Sequence, residues 1–250
     1  MVSVLFVCLG NICRSPAGEA VLKGIVAKKA GADAASFHID SCGTGGGNPN
    51  WYGAGGWSYH EGDAADSRMT KEAKKRGYVM TSRSRPLNEQ DIDEFDYIIC
   101  MEDKNKAAVL EAAEAWGGAS CRDLAKHKIS MMTDYCKTLK DATRVPDPWY
   151  EGGFDHVLDL LEDACDGLRT GAMYMKESAF YISGNVSGGV GRDLKQLTQK
   201  YIFIFGYSST LELQSSTCHC NNVTRSGQIT KLPREEAHTS GYVLVHICFG

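Results

Sequence analysis

Val2-Ser-Val-Leu-Phe-Val7, running straight into Cys8-Leu-Gly-Asn-Ile-Cys-Arg14 and then Ser15-Pro16, is the stretch that decides the fold of this 250-residue chain. An apolar run this short, ended by a Gly-Asn turn signal, reads as a strand buried on both faces. Pro16 needs no N–H partner and carries a preset φ, so a helix starts beside it. The loop between strand and helix holds a thiol and a guanidinium six positions apart. Backbone N–H groups of such a loop, and of the first helical turn, converge on one centre and favour an anion there. Arg14 adds a planar fork that can hold two phosphate oxygens. The same positive field favours the ionised form of Cys8, a nucleophile. Asn11 is one of the few non-glycine residues that tolerate the left-handed backbone a tight loop requires.

Downstream, short apolar runs alternate with amphipathic stretches. Strands are expected at Phe37–Ser41, Tyr97–Met101 and Lys128–Met132, and helices at Pro16–Ala30, Thr70–Arg76, Lys104–Trp116 and Phe154–Leu168. Asp66 and Ser67 are candidate caps for the second helix, a Gly- and aromatic-rich loop spans residues 43–62, and Asp147-Pro148-Trp149-Tyr150 reads as a loop. Strands alternating with helices imply parallel β-α-β units. The fold class that follows is α/β, a three-layer αβα sandwich around a four-stranded parallel sheet. In such sheets ligands sit at the C-terminal ends of strands, where Cys8 falls.

The chain is 43% hydrophobic and 23% charged, which is ordinary for a globular protein. Its net charge of −4 argues against a nucleic-acid partner. No apolar run is long enough for a membrane span, and the N-terminus lacks the basic region and cleavage site of a secretion signal. Ten cysteines without such a signal are expected to be reduced thiols in the cytoplasm. They include no C-x2-C pair, so no metal or cofactor is expected. His60, His127 and His156 are isolated and read as surface residues.

The Cys8–Pro16 segment resembles the N-terminal loop C-x-G-N-x-C-R-S-P of the low-molecular-weight protein tyrosine phosphatases. Phe95–Met101 is similar to the family's F-D-x-I-x-x-M strand, Tyr59–Asp66 to its W/Y-x-x-G-x-x-x-D loop, and Asp147–Tyr150 to its D-P-aromatic-aromatic motif. Residues 1–170 carry the resemblance. Residues 47–56 look like an insertion that lengthens the active-site rim.

The resemblance implies a phosphotyrosine protein phosphatase, with acid phosphatase activity on small aryl phosphates, that works as a monomer. Cys8, Arg14 and Asp147 would be catalytic: nucleophile, phosphate holder and general acid. Leu9, Gly10, Asn11, Ile12, Cys13, Arg14 and Ser15 would form the phosphate loop. Ser15 would donate to the thiolate, and Asn11 would hold the loop in shape. Tyr59, Trp149 and Tyr150 are the candidate walls of the recess, with Leu9 and Ile12 at the ring edge. Trp149 stands where Tyr is common. Ser41 and Ser82 are the candidate supports of the loop, Ser82 aligning with a His of mammalian members. Cys13 is implied as a reversible disulfide partner of Cys8; a small buried loop side chain is the other reading.

Residues 171–250 are rich in Ser, Thr and Gly and carry no catalytic motif. Cys218-His219-Cys220 is too short for a metal site. Leu194–Phe205 and Tyr242–Phe249 could form regular elements, but the stretch is expected to be a poorly ordered extension. Three other functions share parts of this pattern. Arsenate reductase shares the fold and loop, but it relays a disulfide through further cysteines, and residues 80–95 contain none. Protein-arginine phosphatases carry Thr where Ile12 stands. A non-catalytic phosphate-binding module would be expected to lack Cys8, Arg14 or Asp147.

Overall fold

A computed structural model of the chain describes residues 1–29 and 35–185, with side chains as far as residue 171. Four strands, β1 (Val2–Cys8), β2 (Phe37–Gly43), β3 (Tyr97–Cys100) and β4 (Ile129–Met131), form one sheet in the order β2-β1-β3-β4. Every pairing is parallel. Six helices connect and cover them: α1 (Arg14–Lys29), α2 (Ser67–Lys75), α3 (Glu89–Glu94), α4 (Asp103–Lys128), α5 (Pro148–Glu151) and α6 (Phe154–Asn185).

All seven residues of β1 are buried, because helices cover both faces of the sheet. Val4, Phe6 and Cys8 point into one core with Val21, Leu22 and Ile25 of α1 and Val157, Leu158 and Leu161 of α6. Leu5 and Val7 point into the other, with Val109, Ala112 and Ala113 of α4 and Ile92 of α3. The period of two along β1 therefore feeds two hydrophobic layers, which makes the three-layer sandwich.

Several elements differ from their expected extents. The expected strand at Lys128–Met132 is shorter, because α4 runs on through Lys128 across an interruption at Gly117 and Gly118. Helix α3 had no apolar period to announce it; a reciprocal capping box between Asn88 and Asp91 starts it. Residues 147–150 are not a plain loop. Pro148 opens the short helix α5, and the Asp147 side chain caps it by accepting from the Trp149 N–H. Helix α6 continues past Leu168 to Asn185. The chain divides into two units, Met1–Ile182 and Ser183–Gly250. The second lies almost wholly outside the described residues, and with it the expectations for Leu194–Phe205, Cys218–Cys220 and Tyr242–Phe249.

Strand register sets the site. Cys8 pairs with Gly43 at the C-terminal ends of β1 and β2, and Val7 pairs with Cys100 of β3. Gly43 must lack a side chain: a Cβ there would lie 2.9 Å from the Leu9 carbonyl oxygen and 3.0 Å from the Asn11 nitrogen. Both are backbone atoms of the Cys8–Arg14 loop and cannot swing aside. Gly43→Ala is expected to destabilise by about 1–3 kcal/mol through overpacking and to weaken binding of inorganic phosphate by displacing the loop. Thermal melting and a phosphate titration check this; an unchanged affinity would mean that the loop has slack.

Candidate active site

The loop from Cys8 to Arg14 is held from outside by its carbonyls. The Cys8 carbonyl accepts from Thr44 N–H at 3.0 Å, Leu9 from Gly46 N–H at 2.9 Å and Ile12 from Asp66 N–H at 2.8 Å. The Gly10 carbonyl accepts from the Ser84 hydroxyl at 3.0 Å. Among the described residues, the N–H groups of Gly10, Asn11, Ile12 and Cys13 donate to no protein acceptor. With the carbonyls tied outward, these donors are left for an anion inside the loop.

Asn11 makes this geometry possible. Its φ of 52° is the one left-handed non-glycine backbone among the described residues. Its Nδ2 donates to Ser15 Oγ and to Ser41 Oγ, each at 2.9 Å. Its Oδ1 accepts from the Arg85 N–H at 2.9 Å. Ser41 passes the chain on to Glu19 Oε2 at 2.6 Å. Ser15 Oγ lies 3.0 Å from Cys8 Sγ and 3.1 Å from the Cys42 carbonyl. The small side of this network thus ends on the thiol.

Arg14 is 1% exposed. Its Nη1 donates to Glu102 Oε1 at 2.8 Å and to the Val145 carbonyl at 3.3 Å, and its Nη2 to Asp147 Oδ2 at 2.5 Å. Burial alone would pull its pKa down; the negative charges of Cys8, Asp147 and Glu102 outweigh that and raise it. Asp147 is held by its own turn. Its N–H donates to Glu151 Oε1 at 3.0 Å, and Glu151 takes both arms of the Arg144 fork. That fork holds the Glu151 carboxyl down at about 2. Burial pushes the Cys13 thiol up, and Asp66, Cys8 and Asp147 push it further, against Arg68.

Cys8, Leu9, Gly10, Ile12, Cys13 and Arg14 line a recess of about 60 Å³, together with Gly46, His60, Asp147, Trp149 and Tyr150. Asn11, Ser15 and Ser41 brace it from behind. Two expectations need correction. Tyr59 does not line the recess: its ring is 60% exposed and packs edge-on against Trp57 at 4.4 Å. Its neighbour His60 takes the wall position, because Gly10 has no Cβ to block the imidazole; one would sit 2.9 Å from His60 Cδ2. Ser82 does not support the loop either. Ser84 and Arg85 do so, while Ser82 lines a separate cleft beside α2. The 47–56 insertion turns away from the recess in part: Trp51 packs edge-on against Trp116 of α4, whose indole N–H donates to the Tyr52 carbonyl.

Sequence reasoning missed Glu102, Ser84, Arg85 and Arg68. Arg68, at the start of α2, lies 4.9 Å over the Trp149 ring and 4.8 Å over Phe154, so it backs the aromatic wall. None carries a local motif; Glu102 is the N-cap residue of α4, two positions past the end of β3.

The fold and site define a parallel α/β protein with a thiol-bearing anion loop at the C-terminal end of its central strand. The family model for low molecular weight phosphotyrosine protein phosphatase matches residues 3–178, and the chain belongs to that family. A low molecular weight phosphotyrosine protein phosphatase of Schizosaccharomyces pombe is 42% identical over 165 residues, spanning 66% of this chain and 91% of its own. A Bacillus subtilis low molecular weight protein-tyrosine-phosphatase is 37% identical over 175 residues, spanning 67% and 94%. The crystal structure of a protein tyrosine phosphatase from Entamoeba histolytica, with Hepes in its active site, superposes with a TM-score of 0.59 at 42% identity, covering 70% of this chain and 99% of that one.

Two outcomes follow from this bracing. Asn11→Ala removes three side-chain bonds and leaves an alanine in a left-handed conformation. It is expected to cost about 2–4 kcal/mol of stability and to lower kcat/KM on an aryl phosphate far more than it lowers Tm; retention of full activity would remove Asn11 from this role. Glu151 has a folded value below the ordinary 4.5, so its pairing stabilises at neutral pH and is lost as pH falls through about 2. Glu151→Gln should therefore lower Tm slightly at pH 7, and the gap to wild type should close as melts are taken toward pH 2.

Proposed function

We propose that this chain is a phosphotyrosine protein phosphatase that works through a cysteinyl-phosphate. Its substrates would be phosphotyrosine in proteins and small aryl phosphates in mildly acidic solution, and its place the cytoplasm. The observation that carries this reading is the loop whose Cys8, Leu9, Gly10 and Ile12 carbonyls are bound outward while four successive N–H groups face no protein acceptor, with Cys8 at its start and Arg14 at its end.

In the first step Cys8 Sγ attacks phosphorus and the P–O bond to the aryl group breaks. Asp147 gives its proton to the departing aryl oxygen. Arg14 and the loop N–H groups hold the equatorial oxygens as charge spreads over them. In the second step water attacks phosphorus, Asp147 takes its proton, the S–P bond breaks, and inorganic phosphate leaves. The Ser15 hydroxyl, at 3.0 Å, stabilises the departing thiolate. Asp147 can serve because the α5 cap holds its carboxyl at the recess mouth beside Arg14. Trp149 and Tyr150 offer flat walls to a phenyl ring. Ile12 places an apolar side chain in the same lining and favours an aryl over a guanidino leaving group. Cys13, in the same recess, is the proposed disulfide partner that would protect Cys8 from further oxidation. The activity is assigned to residues 1–170, and the remainder is read as an extension.

Hydrolysis of an aryl phosphate by the full-length protein, with and without a metal chelator, tests the reading. Cys8→Ser should abolish turnover while phosphate binding stays measurable; residual activity above about 1% of wild type would count against a covalent intermediate. Asp147→Asn should slow phenyl phosphate by about 10²–10⁴-fold and a strongly activated aryl phosphate much less. An equal loss on both substrates would take the proton-donor role away from Asp147.

A further inference from the structure

Helix α2 has two polar faces with opposite assignments. On one face Arg68 pairs with Asp66 and backs Trp149, and Lys75 pairs with Glu72. On the other, Ser67, Thr70, Lys71 and Lys74 recur at helical spacing and border a cleft of about 580 Å³. Arg83 and the Met80 side chain close its far side. The side chains of Lys71, Lys74 and Arg83 form no ion pair or hydrogen bond with any described residue, whereas those of Arg76, Arg85 and Arg144 are all engaged by carboxylates. The acidic groups closest along the helix, Asp66 and Glu72, are already taken up by Arg68 and Lys75. Three uncompensated cations therefore border one groove, with apolar surface between them, on a chain whose net charge is −4.

The cleft is also tied to the recess. Asp66, next to the lining residue Ala65, donates its N–H to the Ile12 carbonyl of the phosphate loop. Ala64 bridges to Arg83, and Ser84, next to Arg83, donates to the Gly10 carbonyl. The segments that line the groove are thus the same ones that hold the phosphate loop.

We propose that the α2 cleft is a docking groove for an acidic segment flanking the phosphotyrosine of a protein substrate, with Lys71, Lys74 and Arg83 as its charge readers. The proposal rests on the phosphatase reading above. Charge complementarity favours Asp and Glu side chains, and the Ser67 and Thr70 hydroxyls and the Met80 side chain suit the peptide backbone and the carbons of those side chains. The cations are solvent-exposed, so each contributes modestly, and their joint effect is screened by salt.

The test compares the full-length wild type with Lys71→Gln/Lys74→Gln/Arg83→Gln. The substrates are a small aryl phosphate and phosphotyrosyl peptides with acidic or neutral residues on the N-terminal or C-terminal side. Wild type should prefer an acidic flank on one side, and the preference should shrink at high salt. The triple variant should lose about tenfold in kcat/KM on that peptide, through KM, with the aryl phosphate and neutral peptides unchanged. No acidic preference in wild type, or the same preference in the variant, would overturn the groove. A parallel loss on the aryl phosphate would also overturn it, as it would mean that the substitutions disturb the loop; the thermal midpoint identifies misfolding. Failure of wild type to hydrolyse any of these substrates would instead sink the phosphatase reading. Binding of anionic vesicles that is lost in the variant, without any peptide preference, would assign the groove to a lipid surface and overturn the peptide proposal.

Discussion

The site depends on where the carbonyls of one short loop go. A backbone ring can hold an anion only if its N–H groups are spared for it, and that is secured when the ring's carbonyls are tied to donors outside it. Here Thr44, Gly46, Asp66 and Ser84 supply those donors. They come from the segments after β2, before α2 and before α3, so distant parts of the chain serve one loop. Asn11 completes the arrangement by accepting a left-handed backbone and pinning it with three side-chain bonds. Gly43 and Gly10 leave the space: one lets β2 approach the loop, the other lets His60 reach the recess.

Charge is organised around the same loop. Arg14 is among the largest fully buried side chains, and burying an unpaired guanidinium would be prohibitive. Glu102 and Asp147 answer its charge from the ends of β3 and from the cap of α5. The guanidinium is thereby oriented, and the carboxyl that would move the proton is brought to the mouth of the recess. The Arg144–Glu151 fork acts one step further out by holding the turn that presents Asp147. Helix α2 links this centre to the surface: its Arg68 steadies the aromatic wall, while its other face leaves cations unanswered.

Much of this could be read without coordinates. A loop that encircles one phosphate must be contiguous, so its thiol, its turn residues and its guanidinium lie together in the chain, from Cys8 to Pro16. Strands buried on both faces are short apolar runs, and all four strands were recognisable within two residues at their ends. Asp147 stood out because a proline on each side stiffens its turn. The opening of α5 was less legible, since its four residues are too few to show a period and its start depends on a cap rather than on composition.

The sequence by itself determined the chemistry-bearing loop, the parallel α/β order and the aspartate that faces it, because each is a local pattern of residue type. Only the tertiary structure decided which residues brace and line the site. Ser84 and Arg85 rather than Ser82 hold the loop, and His60 rather than Tyr59 walls the recess. Bracing through backbone N–H groups leaves no residue-type signature, since nearly every residue has one. A one-residue difference in an irregular loop turns a side chain from the recess to solvent, and that choice is made by the partners the loop meets across the fold.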